Sequence, residues 1–388
     1  MPVTLDASAP LSSGEFAAVD LDRLAEIGRR HQLVGEFLER EGYAGLILQQ
    51  PGNLAWLTGG ANLTRGASDE TTASLFVTPD ARVVVCSNAD TAELFEHHVA
   101  GLGFQLKERP WTEPRQVMLA DLCRGRKIAA DSPFPHTTDV GPRLLGLRTP
   151  LSEVENDILR EAGRRVAHAV EATARAIVRG RSEAEVAGEL AHRLLKHEIH
   201  PFRMQILADG RAIRFRHWTW SDSPIQKFCT VAAVGRYRGL HIGAARTISL
   251  GAPPEPLLEA FQKAAMVHAT GMFFSQVDWE FFEIWNRIRR IYEKAGADEE
   301  WRLAEQASLA EYHYGAIPLT PSSEFRLPAG VPLHWHPSVG PVLCGDTLLT
   351  TPRGAEVLTP ANDWPHLSIS VKGTSVPVPA ILIVEPGS

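Results

Sequence analysis

The chain has 388 residues, enough for two domains, and its 44% hydrophobic content can fill a sizeable core. The net charge of −7 argues against a nucleic-acid or anionic-membrane partner, because either favours a basic face. No apolar run is long enough to cross a bilayer as a helix.

Residues 1–20 are rich in Ser, Ala and Pro and lack the basic start and apolar centre of a secretory signal, so they read as a loose arm. Apolar residues at Leu21, Leu24, Ile27, Val34 and Phe37 recur at helical spacing. AGLILQ at 44–49 reads as a buried strand, closed by a turn at Pro51-Gly52-Asn53. Residues 73–79 and 82–87 read as two strands of a meander, 90–101 as a helix and 127–130 as another strand. Such alternation suggests an α/β domain over 21–148. A linker around Leu147 to Pro150 opens a second domain, 149–388.

That domain starts with two helices, each carrying a capping-box pattern: Ser152 with Glu155, reaching to about Arg179, and Ser182 with Glu185, reaching to about His197. Strands follow over 201–251, two helices over 254–295, and a β-rich segment from Pro318 to the end. Cys86, Cys123, Cys229 and Cys344 show no metal-ligand spacing. They read as buried thiols in a reducing cytoplasm, with a catalytic thiol as the alternative.

The stretches at 51–59, 149–155, 180–183, 239–251, 330–337 and 345–359, taken together and in this order, resemble the creatinase/aminopeptidase P/prolidase family. PGNLAWLTG at 51–59 is similar to its "NIAYLTG" turn. TPLSEVE at 149–155, Ala162 and GRSE at 180–183 resemble the linker and first helices of its catalytic domain. GLHIG at 239–243 with RTISLG at 246–251 resembles "GYxxDxTRTxxxG". Residues 330–337 resemble "GMVFTIEP", and 345–359 resemble "EDTVLVTEDGAEVLT". The resemblance spans about 21–375. It implies an α+β chain: a creatinase-like α/β N-terminal domain, then a pita-bread catalytic domain in which two pairs of helices cover an antiparallel sheet.

Metal-dependent members of that family hold two divalent ions with two Asp, one His and two Glu, since hard cations need several anionic oxygens. The matching positions here are Ala232, Gly243, His336 and Gly345, and the His position falls at Gly315 or, with a two-residue slip, at His313. At least four of the five ligands are therefore missing, and no metal or other cofactor is expected. The alternative is a single Zn²⁺ on His313 and His336 with His334 or Asp346.

Creatinase has this fold and works without metal, using a histidine on the first strand of its catalytic domain as acid and base. Ectoine hydrolase is a further relative assigned to C–N hydrolysis. The creatinase position matches His217, within RHWTWSD at 216–222 and ten residues before Lys227. An imidazole suits this role because its pKa of about 6.5 lets it exchange protons near neutrality. A purely structural histidine is the alternative. A metal-free branch of the family, with "RHPxPTDK", "GLxxSxTR" and "WNPSxxGxKxEDT" stretches, is similar at 216–222, 239–246 and 335–340, although His336 and Gly345 depart even from it.

The resemblance thus implies catalytic roles for His217, His336 and His313. It implies substrate contacts from Arg246, Asp346, Tyr312, Tyr314, Trp218, Trp220, Trp335 and Arg216. Arg246 and Asp346 could equally form a structural ion pair, and the tryptophans could equally be core. Arg203, Arg211, Arg214 and Arg216 would favour a carboxylate or phosphate if some of them line a pocket. With the family's glutamates gone, a neutral or anionic small molecule is the expected substrate. The expected function is metal-independent hydrolysis of a C–N bond by a cytoplasmic homodimer. The alternatives are a lyase or cyclase on the same scaffold, and a binding protein without catalysis.

Overall fold

The computed structural model describes residues 20–65, 68, 70–216 and 218–385. The expected arm lies outside the described residues, apart from Asp20. The chain divides into two compact units, the second starting at Thr149.

In the first unit the helix Leu21–Glu41 starts where the Asp20 carboxylate accepts from Arg23 N at 2.9 Å, and ends at Gly42 with φ of 67°, a left-handed cap that glycine adopts without strain. A six-stranded mixed sheet carries, in order, Gln105–Arg109, Arg82–Ser87, Ala73–Val77, Gly45–Leu48, Ile128–Ala130 and Thr137–Asp139. The turn expected at Pro51 is instead the start of a helix, Pro51–Leu57. Proline at the first helical position lacks only an N–H that would have no helical partner. The buried Asp131 carboxylate faces this helix start, accepting from Gln49 N, Gln50 N and Asn53 Nδ2, each at 2.9 Å. The helix expected over 90–101 is shorter and irregular, with an α-turn Thr91–Glu93 running into a π-helical Leu94–His98.

The second unit opens with the helices Glu153–Arg175 and Glu183–Leu195, and both capping boxes form. The first helix ends one turn earlier than the sequence suggests. The pair lies against a sheet ordered Leu382–Val384, Leu240–Leu250, Phe228–Tyr237 and His200–Ala208. A second sheet runs Ala307–Leu309, Pro332–Trp335, Asp346–Thr351 and Gly354–Val357. The helices Glu255–Phe274 and Phe281–Lys294 form the other pair. The two sheets meet where Ala245 N donates to the Gly345 carbonyl at 2.9 Å. Thr347 Oγ1 strengthens this seam, accepting from Gly243 N at 2.9 Å and donating to Gly243 O at 2.8 Å. This is the α+β, pita-bread arrangement that the resemblance implied.

All four cysteines are buried and free. Among the described residues no helix is long and apolar enough to cross a membrane.

Candidate active site

Side chains on a strand alternate between faces, and this alternation decides which residues reach the seam between the two sheets. On the strand ending at Trp335, Leu333 and Trp335 point one way and His334 the other. Trp335 is fully buried on the helix side, where its Nε1 donates to Ser275 Oγ at 2.9 Å and its ring stacks on Phe281 at 5.6 Å. His334 points to the seam. A Cβ added at Gly243 would sit 2.6 Å from His334 Nε2 and 2.7 Å from Nδ1. The His334 ring therefore occupies the space that a side chain at 243 would need, and only glycine allows that approach.

The same alternation removes Arg246 and Asp346 from the seam. Gly243 and Ala245 face it, so Arg246 points to the opposite side. There its Nε donates to Glu171 Oε1 at 3.0 Å, Nη1 to Asp346 Oδ1 at 3.0 Å and Nη2 to Thr359 O at 3.0 Å. Asp346 also accepts from Thr359 Oγ1 at 2.9 Å. The three charged side chains are almost wholly buried and form one structural network.

Ala232 lies opposite Ala245 and packs with it and Leu343 in a small apolar cluster under Trp218. A carbon lining thus stands where a bridging carboxylate would be required. A Cβ at Gly345 would lie 2.9 Å from Ala245 Cβ. Among the described residues no group of three or more His, Cys, Asp or Glu is arranged to hold a metal ion. The residues present do not fit the family's dinuclear centre: the oxygens are missing, and an imidazole and methyl groups fill the space.

The seam holds neutral imidazoles instead. The His334 and His336 rings lie 4.9 Å apart, and the Trp218 ring is 6.1 Å from each. Tyr314 OH hydrogen-bonds His334 Nδ1 at 2.7 Å, and Ser308 Oγ pairs with His336 Nε2 at 3.1 Å. His241, with Nδ1 2.7 Å from the Glu311 carbonyl, packs against Phe202 at 4.5 Å. Burial pushes His336 and His241 down to about 3 and His268 to about 4, and it holds His334 well below the usual imidazole range. Arg203 adds to the lowering at His336 and His334.

These shifts have a consequence for stability. The rings stay neutral in the folded chain but protonate near pH 6.5 once unfolded, so their contribution is complete above that value and is lost as pH falls toward 4 and 3. Each ring can remove up to about 1.4 kcal/mol per pH unit in this window. Urea melts from pH 7.5 to 4.5 should show stability falling below pH 6.5. A flat profile would contradict buried neutral rings.

A cavity of about 510 Å³ opens beside the seam, with Arg203, Gln205, Arg216, Trp218, Glu305 and His336 in its walls. Of the candidates read from the sequence, the structure brings His336, Trp218 and Arg216 together here. Tyr314 stands behind them, bonded to His334, and Tyr312 is buried. Trp220 is 43% exposed and Trp335 is core. His313 is half-buried, its backbone N donating to Glu311 Oε1 at 2.9 Å. Gly315, the other candidate for the family's His position, has a φ of 73° and open space around it. His217 lies outside the described residues. Of the neighbouring arginines, Arg211 pairs with the buried Glu183 and Arg214 is exposed.

Residues 157–327 match the profile of metallopeptidase family M24. Known structures match in fold over nearly the whole chain. A dipeptidase of Mycobacterium ulcerans aligns with a TM-score of 0.73 at 18% identity, over 94% of this chain and 99% of that one. An Xaa-Pro dipeptidase of Bacillus anthracis gives 0.74 at 17%, over 92% and 100%. An X-Pro aminopeptidase of Thermotoga maritima gives 0.73 at 13%, over 91% and 99%. No curated protein sequence matches. Within residues 157–327 the chain is thus similar to metallopeptidase family M24, and over nearly its whole length it has the fold of these dipeptidases and this aminopeptidase.

Proposed function

We propose that the protein is a metal-independent enzyme of small-molecule metabolism that hydrolyses a C–N bond, with His217 as general acid and base. One observation carries this reading. The positions that hold metal in the family are Ala232, Gly243, His336 and Gly345 here, and the ring of His334 is packed into their midst. The cavity beside them nevertheless persists, lined by polar and aromatic side chains. Arg216 and Trp218, the sequence neighbours of His217, both line it.

In this reading His217 takes a proton from water as the oxygen adds to the carbon, then returns it to the departing nitrogen. Trp218 offers a flat apolar wall, and His336 a neutral imidazole that can hydrogen-bond without adding charge. The hydrolase assignment is supported by the M24 match and by solved relatives that are named as dipeptidases and an aminopeptidase. A cytoplasmic homodimer acting without a cofactor completes the proposal.

The test compares wild type with His217→Ala on a panel of small amides, cyclic amidines, guanidino acids and N-acyl amino acids, with chelator present and turnover followed by mass spectrometry. Turnover by wild type and its loss in a folded variant is the expected result. Equal turnover by the variant would remove His217 from the chemistry, and turnover abolished by chelator would overturn metal independence.

A further inference from the structure

Two arginines stand at the cavity, one of them closely paired with a carboxylate outside the lining, Glu300, and the other only loosely paired. Arg203 and Arg216 line it, with Glu305 as the acidic lining residue. Neither the imidazoles nor the alanine and glycine positions of the seam add negative charge. Arg203 is thus the lining cation with the freest donors, which suit a bound anion.

Three details sharpen this. Arg203 is held by its flat faces, with its guanidinium 4.9 Å from the Tyr314 ring centre and 5.6 Å from that of Phe202. Its nearest carboxylate, Glu305, is 3.9 Å away and mostly exposed, so its edge is left to offer donors. Arg216 is largely buried and fixed in place, Nη1 lying 2.9 Å from Glu300 Oε2 and Nε donating to the Ile213 carbonyl at 3.2 Å. Glu300 also accepts from Gly340 N at 3.0 Å, so its charge is shared. Ser338, only 7% exposed, lines the same cavity, and its buried hydroxyl has no hydrogen-bond partner among the described residues. A hydroxyl buried without a partner is costly and marks a place where a bound group supplies the missing bond.

We propose that this cavity binds a small molecule carrying an acidic oxyanion group, which Arg203 and Ser338 contact with Arg216 behind them, while an apolar body rests on Trp218 and Leu343. Planar guanidinium edges suit paired oxygens, and the volume suits a metabolite-sized ligand. The inference names the substrate class of the site proposed above and rests on that reading only if the bound molecule is also turned over.

The experiment is calorimetric titration of the full chain with 4-phenylbutyrate, phenylphosphonate and the uncharged 4-phenylbutanol, none of which has a C–N bond to cleave. At least one acid should bind about tenfold or more tightly than the alcohol, as one charge-assisted hydrogen bond provides. The tighter of the two acids distinguishes a carboxylate from a phosphate-type ligand. Arg203→Gln should remove the preference for acid, and Arg203→Lys should retain part of it. Ser338→Ala, which deletes an unpaired hydroxyl and leaves the fold intact, should weaken acid binding several-fold. Acids and alcohol binding alike, or an acid preference that survives Arg203→Gln, would overturn the proposal. These ligands carry no bond to cleave, so binding is read without turnover, and failure of the anion site and failure of the catalytic reading remain distinguishable.

Discussion

Gly243→Asp, which places a carboxylate where metal-dependent members of the creatinase/prolidase family hold an ion, should destabilise the protein by on the order of 3–5 kcal/mol instead of conferring metal binding. The new Cβ would lie 2.6 Å from His334 Nε2 and 2.7 Å from Nδ1, inside any real contact distance. Neither side can withdraw easily. The backbone of Gly243 is bonded twice to Thr347 Oγ1, and the His334 ring is held by Tyr314 at 2.7 Å. The Asp carboxylate would also be buried beside neutral imidazoles, with no cation offered in exchange. Gly243→Ala isolates the steric part, about 1–3 kcal/mol. His334→Ala leaves a void of its own, but in the double variant the new methyl group enters that void. Denaturant melts of the two single variants and the double variant should therefore show strong non-additivity, the double being more stable than the sum implies. Strict additivity would mean that Gly243 and His334 do not share this space. The cycle also bears on metal binding at the seam: glycine at 243 and the ring at 334 occupy one shared space, so a carboxylate placed at 243 alone does not make room for an ion.

Much of the fold was legible because its signals are local. Ser152 with Glu155 and Ser182 with Glu185 mark two helix starts by hydrogen bonds made within four residues, and both form. That Ala232, Gly243 and Gly345 cannot ligate a metal was legible for the same reason: alanine and glycine carry no side-chain donor wherever they fold. The direction of each side chain was less accessible, although the information was present. Gly243, Gly345 and His336 mark the seam, and the two-residue period of a strand then turns Arg246, Asp346 and Trp335 away from it. Weighing those three by residue type and proximity in sequence passed over that constraint. The filling of the gap by His334 depends on two strands that are distant in sequence, and no local pattern announces it. The unpaired hydroxyl of Ser338 belongs to the same class, since only the assembled cavity shows that nothing reaches it. At Pro51 the sequence was ambiguous, because proline opens a turn and a helix equally well, and the buried carboxylate of Asp131, some eighty residues later, favours the helix.

Arg246→Ala should cost about 3–5 kcal/mol, because it removes one cation and leaves two buried carboxylates facing each other. Glu171 and Asp346 each lie 3.0 Å from the guanidinium, and the Thr359 carbonyl takes a further hydrogen bond from it. Burial already raises the Glu171 pKa even with the arginine present, so in the variant that carboxyl has still more reason to take up a proton. Protonation relieves the repulsion, so the stability gap between wild type and variant should be widest near pH 7 and narrow as pH falls. The acid sensitivity of the buried histidines is common to both proteins and largely cancels in that difference. Urea melts of the pair at pH 7 and pH 5 would measure it. The comparison also separates two roles for this arginine. As a structural residue, its loss lowers stability while the remaining folded protein binds 4-phenylbutyrate or phenylphosphonate unchanged, because the guanidinium sits on the far face of the strand from the seam. As a substrate residue, its loss would abolish ligand binding in a protein of near-normal stability, and that outcome would place Arg246 back in the site.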